Sequence, residues 1–314
     1  MNGRATLLAL LLCCAAPAAA QEGGAEPSAR VCNDFKAEAL HALAQSPDSL
    51  QINNLLFEAA RKGCVTALEA LLKAGASPEA RDRMGDNALA IAARMGRLAF
   101  VKALLGADTA ANPGQRDQPN VAGATPLFQA ARADRADVAK FLIDAGAKID
   151  IATKQGETAL SAAAFNANAE LAELLLAHKA APDTVDTTGK SVIVYAAARG
   201  AVRIVEMLLN AGVDPNRRYN ADLTALMWAA GHADNVARDE GLKTVKLLIE
   251  RGAAIDLADD RGRTALMIAA SLDHGAVAQA LLAAGADRSK RDKTGKTAAD
   301  LAAGAEVKAI LAAP

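Results

Sequence analysis

Aromatic side chains are scarce: one Trp, two Tyr and six Phe amount to 3% of 314 residues, while hydrophobic residues reach 52%. The apolar surface is therefore mostly alanine and leucine. That composition suits closely packed helices and is poor material for sandwiches or barrels, whose strands favour aromatic and β-branched residues. A charge excess is missing as well. With 35 basic and 36 acidic residues the chain carries net −1. This removes the electrostatic reason to expect a nucleic-acid or polybasic membrane binder, because phosphate contacts draw on surplus Lys and Arg. Four cysteines in this length exclude a miniprotein built on disulfides.

Membrane-spanning runs are absent too. The apolar stretch Ala5–Ala16 falls short of the about 20 residues that a bilayer needs. Arg4 precedes it, and Pro17-Ala18-Ala19-Ala20 ends it with small residues ahead of Gln21, the pattern of a secretory signal peptide. Residues 1–20 are accordingly expected to be removed, with no membrane insertion afterwards. Lipidation at Cys13 or Cys14 is disfavoured, since Leu10-Leu11-Leu12 lacks the usual small residue ahead of the cysteine. Export places the chain in the periplasm of a Gram-negative bacterium, or outside the cell. It leaves Cys32 and Cys64 in an oxidising compartment.

Catalytic and ligand motifs are not found. His41, His178, His232 and His274 are dispersed without metal-ligand spacing. There is no nucleophile elbow, phosphate loop or paired-cysteine motif. Gly295-Lys296-Thr297 resembles the tail of a phosphate loop, but a repeat register explains it. The expectation is a protein that is not an enzyme and needs no metal or cofactor.

What is present is a ruler of 33 residues. Gly123-Ala-Thr-Pro-Leu-Phe-Gln-Ala-Ala131 recurs at Gly156–Ala164 and Gly262–Ala270. Weaker copies are Gly85–Ala93, Gly189–Ala197, Asp222–Ala230 and Gly295–Ala303, with Ile52–Ala60 an imperfect first one. The residue at the Thr position is Asn54, Asn87, Thr125, Thr158, Ser191, Thr224, Thr264 and Thr297, at spacings of 33, 38, 33, 33, 33, 40 and 33. Each Thr begins a short helix whose Ala pair lets a neighbour approach closely. A Leu-rich helix then covers it, and a Gly supplies a left-handed stop before the next hairpin. One such repeat cannot bury its apolar face alone, so repeats must stack.

These phrases resemble the ankyrin repeat family, over eight repeats from about Leu50 to Pro314. The resemblance implies an all-α repeat solenoid and a non-catalytic protein-binding role through a concave face. Two departures stand out. Only Thr125-Pro126 keeps the family's Thr-Pro pair. The family's His is replaced throughout, by Phe57, Ala90, Phe128, Ser161, Val194, Met227, Met267 and Asp300. That His ties hairpin to helix by hydrogen bonds in the family, so its loss leaves the rigidity of these hairpins open.

The domain reading is a leader over residues 21–32, a capping helix over 33–50 with the helix itself at Asn33–Gln45, and the repeats over 51–314. Phe35, Leu40 and Leu43 mark the capping helix's apolar face. Asp300 marks the closing repeat. Cys32 begins the capping helix and Cys64 lies in the first repeat's inter-helix turn. They could remain free thiols or form a disulfide, whose 33-residue loop would contribute about 3.7 kcal/mol in the chain-entropy model.

The register also nominates a partner site. The residue before each Ala pair is Glu58, Ile91, Gln129, Ala162, Tyr195, Trp228, Ile268 and Leu301, an outward position on the expected concave face. Tyr195 and Trp228 are thus neighbours in adjoining repeats, with Phe165 and Tyr219 close by and Arg217 and Arg218 on the adjacent hairpin. Trp and Tyr are enriched in binding hot spots; equally, the rings could fill gaps between helices. Insertions at Gly106–Ala122 and His232–Gly241 break the ruler and are further candidates. The expected partner of this monomer is another protein, not a nucleic acid. Two narrower roles stand beside simple binding: an immunity or inhibitor protein for an envelope enzyme, or a stress-protective envelope factor assisting one.

Overall fold

The computed structural model describes residues 27–107, 115–231 and 238–312. The expected signal peptide, Cys13, Cys14, residues 108–114 of the first insertion and 232–237 of the second, His232 among them, lie outside the described residues. The chain divides into an N-terminal unit, Ala16–Ala163 with Ala177–Ala180, and a C-terminal unit, Ala164–Leu176 with Ala181–Pro314. Each is built from helix pairs, and among the described residues there is no strand beyond one isolated bridge, Val185 to Ser191. The all-α repeat fold expected from the ruler is present in both units.

The N-terminal unit runs α1 (Ala29–Ala44), α2 (Ser49–Lys62), α3 (Val65–Lys73), α4 (Ala88–Met95), α5 (Leu98–Ala107), α6 (Pro126–Arg132) and α7 (Ala136–Asp144). Then come α8 (Ala159–Phe165) and α9 (Ala169–Ala177). The C-terminal unit continues with α10 (Val192–Ala198), α11 (Val202–Asn210), α12 (Ala225–Ala230), α13 (Arg238–Glu250), α14 (Ala265–Ser271), α15 (Gly275–Ala283), α16 (Ala298–Leu301) and α17 (Ala305–Ala312). First helices pack on first helices (α2 on α4 on α6; α10 on α12 on α14 on α16), and second helices on second helices. The alanine pairs permit this approach: Ala92, Ala93, Ala130, Ala131, Ala229 and Ala230 are all fully buried.

Most first helices begin where the Thr position places them. Thr125, Thr224 and Thr264 accept a hydrogen bond on the side-chain oxygen from the N–H three residues on, at 3.2, 3.4 and 3.4 Å, and Asn87 does so at 2.8 Å. Such a cap contributes about 1 kcal/mol. One leucine recurs at a fixed register in the second helices: Leu71, Leu104, Leu142, Leu175, Leu208, Leu248 and Leu281 are each 0% exposed. Each contributes about 1.5–3 kcal/mol by burial.

The start of the chain departs from expectation. The capping helix is Ala29–Ala44, four residues earlier than Asn33, so residues 29–32 belong to helix and not to a leader. Ser28 supplies the cap, accepting from the Val31 N–H. Pro47 follows the helix, and by Ser49 the chain is already in α2, where Asp48 and Gln51 form a capping box at 2.8 and 2.9 Å. Asn54 therefore lies inside a helix and does not start one. The buried face of α1 is Cys32, Phe35 and Ala39, while Leu40 stays 46% exposed. The Cys32–Cys64 disulfide is formed, and it fixes this rotation by tying the first turn of α1 to the residue preceding α3.

At the other end, Thr297 and Asp300 form a capping box on α16. The Thr297 backbone N–H and then its hydroxyl hold the Asp300 carboxyl below its usual value. A carboxyl depressed in the folded state stabilises above its unfolded pKa, and this support is lost as pH falls through the folded value. Acidification below about pH 4 should therefore fray α16 before the interior repeats, read as faster amide exchange at residues 298–301.

The second insertion is partly helical: α13 has 13 residues against nine in α11 and α15, so Arg238–Gly241 extend its amino end. Within the first insertion, Gln115–Asp117 form a 3-10 turn, and Asp117 accepts the Lys148 N–H at 2.8 Å.

Candidate partner-binding site

Exposed hairpins carry whatever surface this fold offers, so their rigidity matters first. In most hairpins the residue five before the helix cap pins its own turn. In the N-terminal unit, Asp82 Oδ1 accepts the N–H groups of Met84 and Asp86 at 2.8 and 3.0 Å, and Asn120 Oδ1 accepts those of Ala122 and Ala124 at 2.9 and 3.0 Å. In the C-terminal unit Asp186, Asp259 and Asp292 do the same, at 2.7–3.0 Å. Successive hairpins also join by backbone, as from Lys154 N–H to Ala122 C=O at 2.8 Å. Gly123 allows that approach: its φ is +82°, and a Cβ there would lie 2.8 Å from the Lys154 nitrogen.

The tie lost with the family's His is remade by other side chains. Asp86, 1% exposed, accepts from Asn120 Nδ2 at 2.8 Å and from Gln129 Nε2 at 2.7 Å, linking hairpins to α6. In the C-terminal unit the Tyr195 hydroxyl donates to Asp186 Oδ2, binding α10 to its own hairpin. At Asp86 and Asp186 hairpin and helix are thus tied without the family's His.

One hairpin is different. At the pinning position it carries Tyr219, which has no carboxylate for its turn, and at the usual Gly position it carries Asp222. Ala221 and Asp222 both take left-handed backbone, at φ 59° and 58°. A left-handed L-residue costs about 1–2 kcal/mol, and glycine is exempt. Asp222→Gly is expected to stabilise the C-terminal unit by about 0.5–1 kcal/mol after the entropy of the unfolded chain is counted, read as a higher urea midpoint. An unchanged or lower midpoint would mean the turn is unstrained.

The nominated rings converge, but not on the surface. Trp228 is 4%, Phe165 7%, Tyr219 7% and Tyr195 8% exposed. The register position expected to face outward is buried in every interior repeat, at Ile91, Gln129, Ala162, Tyr195, Trp228 and Ile268. At this position only Glu58 and Leu301, in the first and last repeats, are partly exposed. Phe165 meets Tyr195 edge-on with centroids 6.0 Å apart. Among the described residues the Trp228 Nε1–H has no hydrogen-bond partner.

The nominated arginines are exposed. Arg217 pairs with Asp183 and lies 5.5 Å from the Tyr219 ring centroid. Tyr219 donates to the same carboxylate at 2.9 Å. Burial, reinforced by that carboxylate, holds the Tyr219 phenol protonated well above its usual range. Arg218 donates to the Ala258 carbonyl at 2.6 Å.

Two further cations were not singled out by sequence reasoning. Lys190, 6% exposed, places its ammonium 5.9 Å from the Tyr195 centroid and 5.8 Å from that of Trp228. Arg199, the cap residue at the end of α10, lies 5.5 Å from the Phe165 centroid. The signal was available in the register, since Lys190 immediately precedes the cap residue Ser191 and Arg199 ends the helix that carries Tyr195.

Among the described residues no group of His, Cys, Asp and Glu could hold a metal ion, and no helix is long and apolar enough to cross a membrane.

Comparison with known proteins agrees with the repeat geometry. A model of ankyrin repeats in three copies matches in overlapping windows over residues 2–117, 56–153, 107–186, 162–238 and 234–312. Ankyrin repeat domain-containing protein 63 of Mus musculus is 39% identical over 74 residues, 24% of this chain and 18% of that protein. An ankyrin repeat-containing protein of Treponema pallidum is 38% identical over 98 residues, 27% of this chain and 33% of its own. The chain thus spans a third or less of these relatives. With a repeat of this length and order matched from end to end, the chain belongs to the ankyrin repeat family.

Proposed function

We propose that this protein is an exported, non-catalytic binding module that holds a partner protein on the hairpin and first-helix face of its C-terminal unit. Ankyrin repeats are a protein–protein interaction module, and their match along the chain is the observation that carries this reading. Export rests on the signal-peptide pattern of residues 1–20. Within the face, Arg217 and Arg218 supply exposed donors, while Tyr195, Trp228, Tyr219 and Phe165 support the surface from beneath. Buried aromatic supports beside exposed arginines suit a hot spot, where a dry centre backs a few strong contacts.

Affinity capture tests it. Residues 21–314 serve as bait in the fraction where the protein resides, beside an Arg217→Ala/Arg218→Ala variant. A partner retained by the first and depleted by the second is the expected result. Equal retention would move the contact to another face, and turnover of a substrate by purified protein would overturn the non-catalytic reading.

A further inference from the structure

The stem of Lys190 is buried while its ammonium still reaches solvent, so a cation without a counter-charge is open to an acceptor from outside. Among the described residues its Nζ makes no hydrogen bond or ion pair; its contacts are the faces of Tyr195 and Trp228. The carboxylate on its own hairpin is already committed. Asp186 Oδ1 accepts from the Thr188 N–H, the Thr188 hydroxyl and the Lys190 N–H at 2.8, 2.7 and 3.0 Å, and Oδ2 accepts from Tyr195. Arg199 repeats the arrangement, with its guanidinium over Phe165 and no ion pair among the described residues.

The two cations are joined through rings: Arg199 over Phe165, Phe165 edge-on to Tyr195, and Lys190 over Tyr195 and Trp228. Packing locks these rings, so the charges above them are held in place before any partner arrives. Pre-set donors lower the ordering cost of binding. Ring faces attract cations but leave their N–H groups free to donate to an acceptor. Elsewhere in the unit Arg251 and Arg263 already hold carboxylates of this chain, Glu206 and Asp259.

We propose that Lys190 and Arg199 form a two-point receptor for carboxylates of an acidic segment in the partner protein. This rests on the binding reading above and names the chemistry of what is bound. The rings are positioning groups; the ammonium and guanidinium make the contact.

Trp228 is the chain's single tryptophan, so its fluorescence reports on Lys190 directly. The intact mature chain is titrated with a hexaglutamate peptide, with hexalysine as control. A saturable fluorescence change with hexaglutamate alone is expected. It should weaken about tenfold or more in Lys190→Met and in Arg199→Met, in line with loss of a charged hydrogen bond, and persist in Lys190→Arg. Circular dichroism melts identify any variant that fails to fold, and the Arg199→Met result stands independently of Lys190. No response to hexaglutamate, or equal binding by folded Lys190→Met and Arg199→Met, would overturn the receptor. Binding of a single-stranded DNA oligonucleotide in place of the peptide would overturn its assignment to protein. A natural partner captured equally by wild type and Lys190→Met/Arg199→Met would sink this receptor while leaving the binding reading intact.

Discussion

Trp228→Ala is expected to destabilise the C-terminal unit by about 3–5 kcal/mol, the usual cost of emptying a large buried aromatic site. All six residues of α12 are buried, and the helix packs between α10 and α14. Ala229 and Ala230, which follow Trp228 in the helix, are fully buried and have no longer side chain with which to fill the space. The substitution also strips Lys190 of one of its two rings, a contact worth about 0.5–1 kcal/mol. A urea titration followed by circular dichroism measures it, because repeat arrays unfold roughly as sums of local and neighbour terms. A loss below about 1 kcal/mol accompanied by loss of partner binding would contradict this and make the indole itself a contact residue.

Cys32→Ser should release α1 while leaving the later repeats folded. The disulfide closes the chain across a sequence separation of 32, and the chain-entropy model assigns such a loop about 3.7 kcal/mol. What remains to hold α1 is modest: buried Phe35 and Ala39, and Lys62 placed 5.7 Å from the Phe35 centroid. Each repeat senses mainly its neighbours, so the effect should decay along the array. Amide exchange across residues 29–44 ought to accelerate strongly in Cys32→Ser and in reduced wild-type protein alike, with α6 and α7 unchanged. Equal protection in oxidised and reduced protein would mean that packing alone anchors the helix.

Much of this molecule follows from its ruler. The cap residues from Asn87 to Thr297, the Ala pairs and the Leu-rich second helices occupy the positions that periodicity assigns them. Periodicity marks which residues are equivalent, but not which way an equivalent position faces once two first helices meet. That is why Tyr195 and Trp228 were expected at the surface and lie 8% and 4% exposed. The hairpin-to-helix ties stayed open in the sequence for a related reason. The missing His is visible as a single absent letter, whereas its replacements are spread out: Asp86 with Gln129, and Tyr195 with Asp186, the latter nine residues apart. The beginning of α1 escaped because it lies outside the repeat, where a Ser cap and a disulfide set the boundary. The register sets Lys190 before the cap and Arg199 at the end of α10, but neither belongs to a motif, and their place over ring faces shows only in the structure.

The measurement that bears most directly on the proposed function is amide hydrogen exchange of the intact mature chain, alone and with its captured partner. Slower exchange is expected in the hairpins at residues 183–190 and 217–223 and at the carboxyl end of α10, around Arg199. Protection confined to the second helices α11, α13 and α15 would place the partner on the opposite surface and contradict the account.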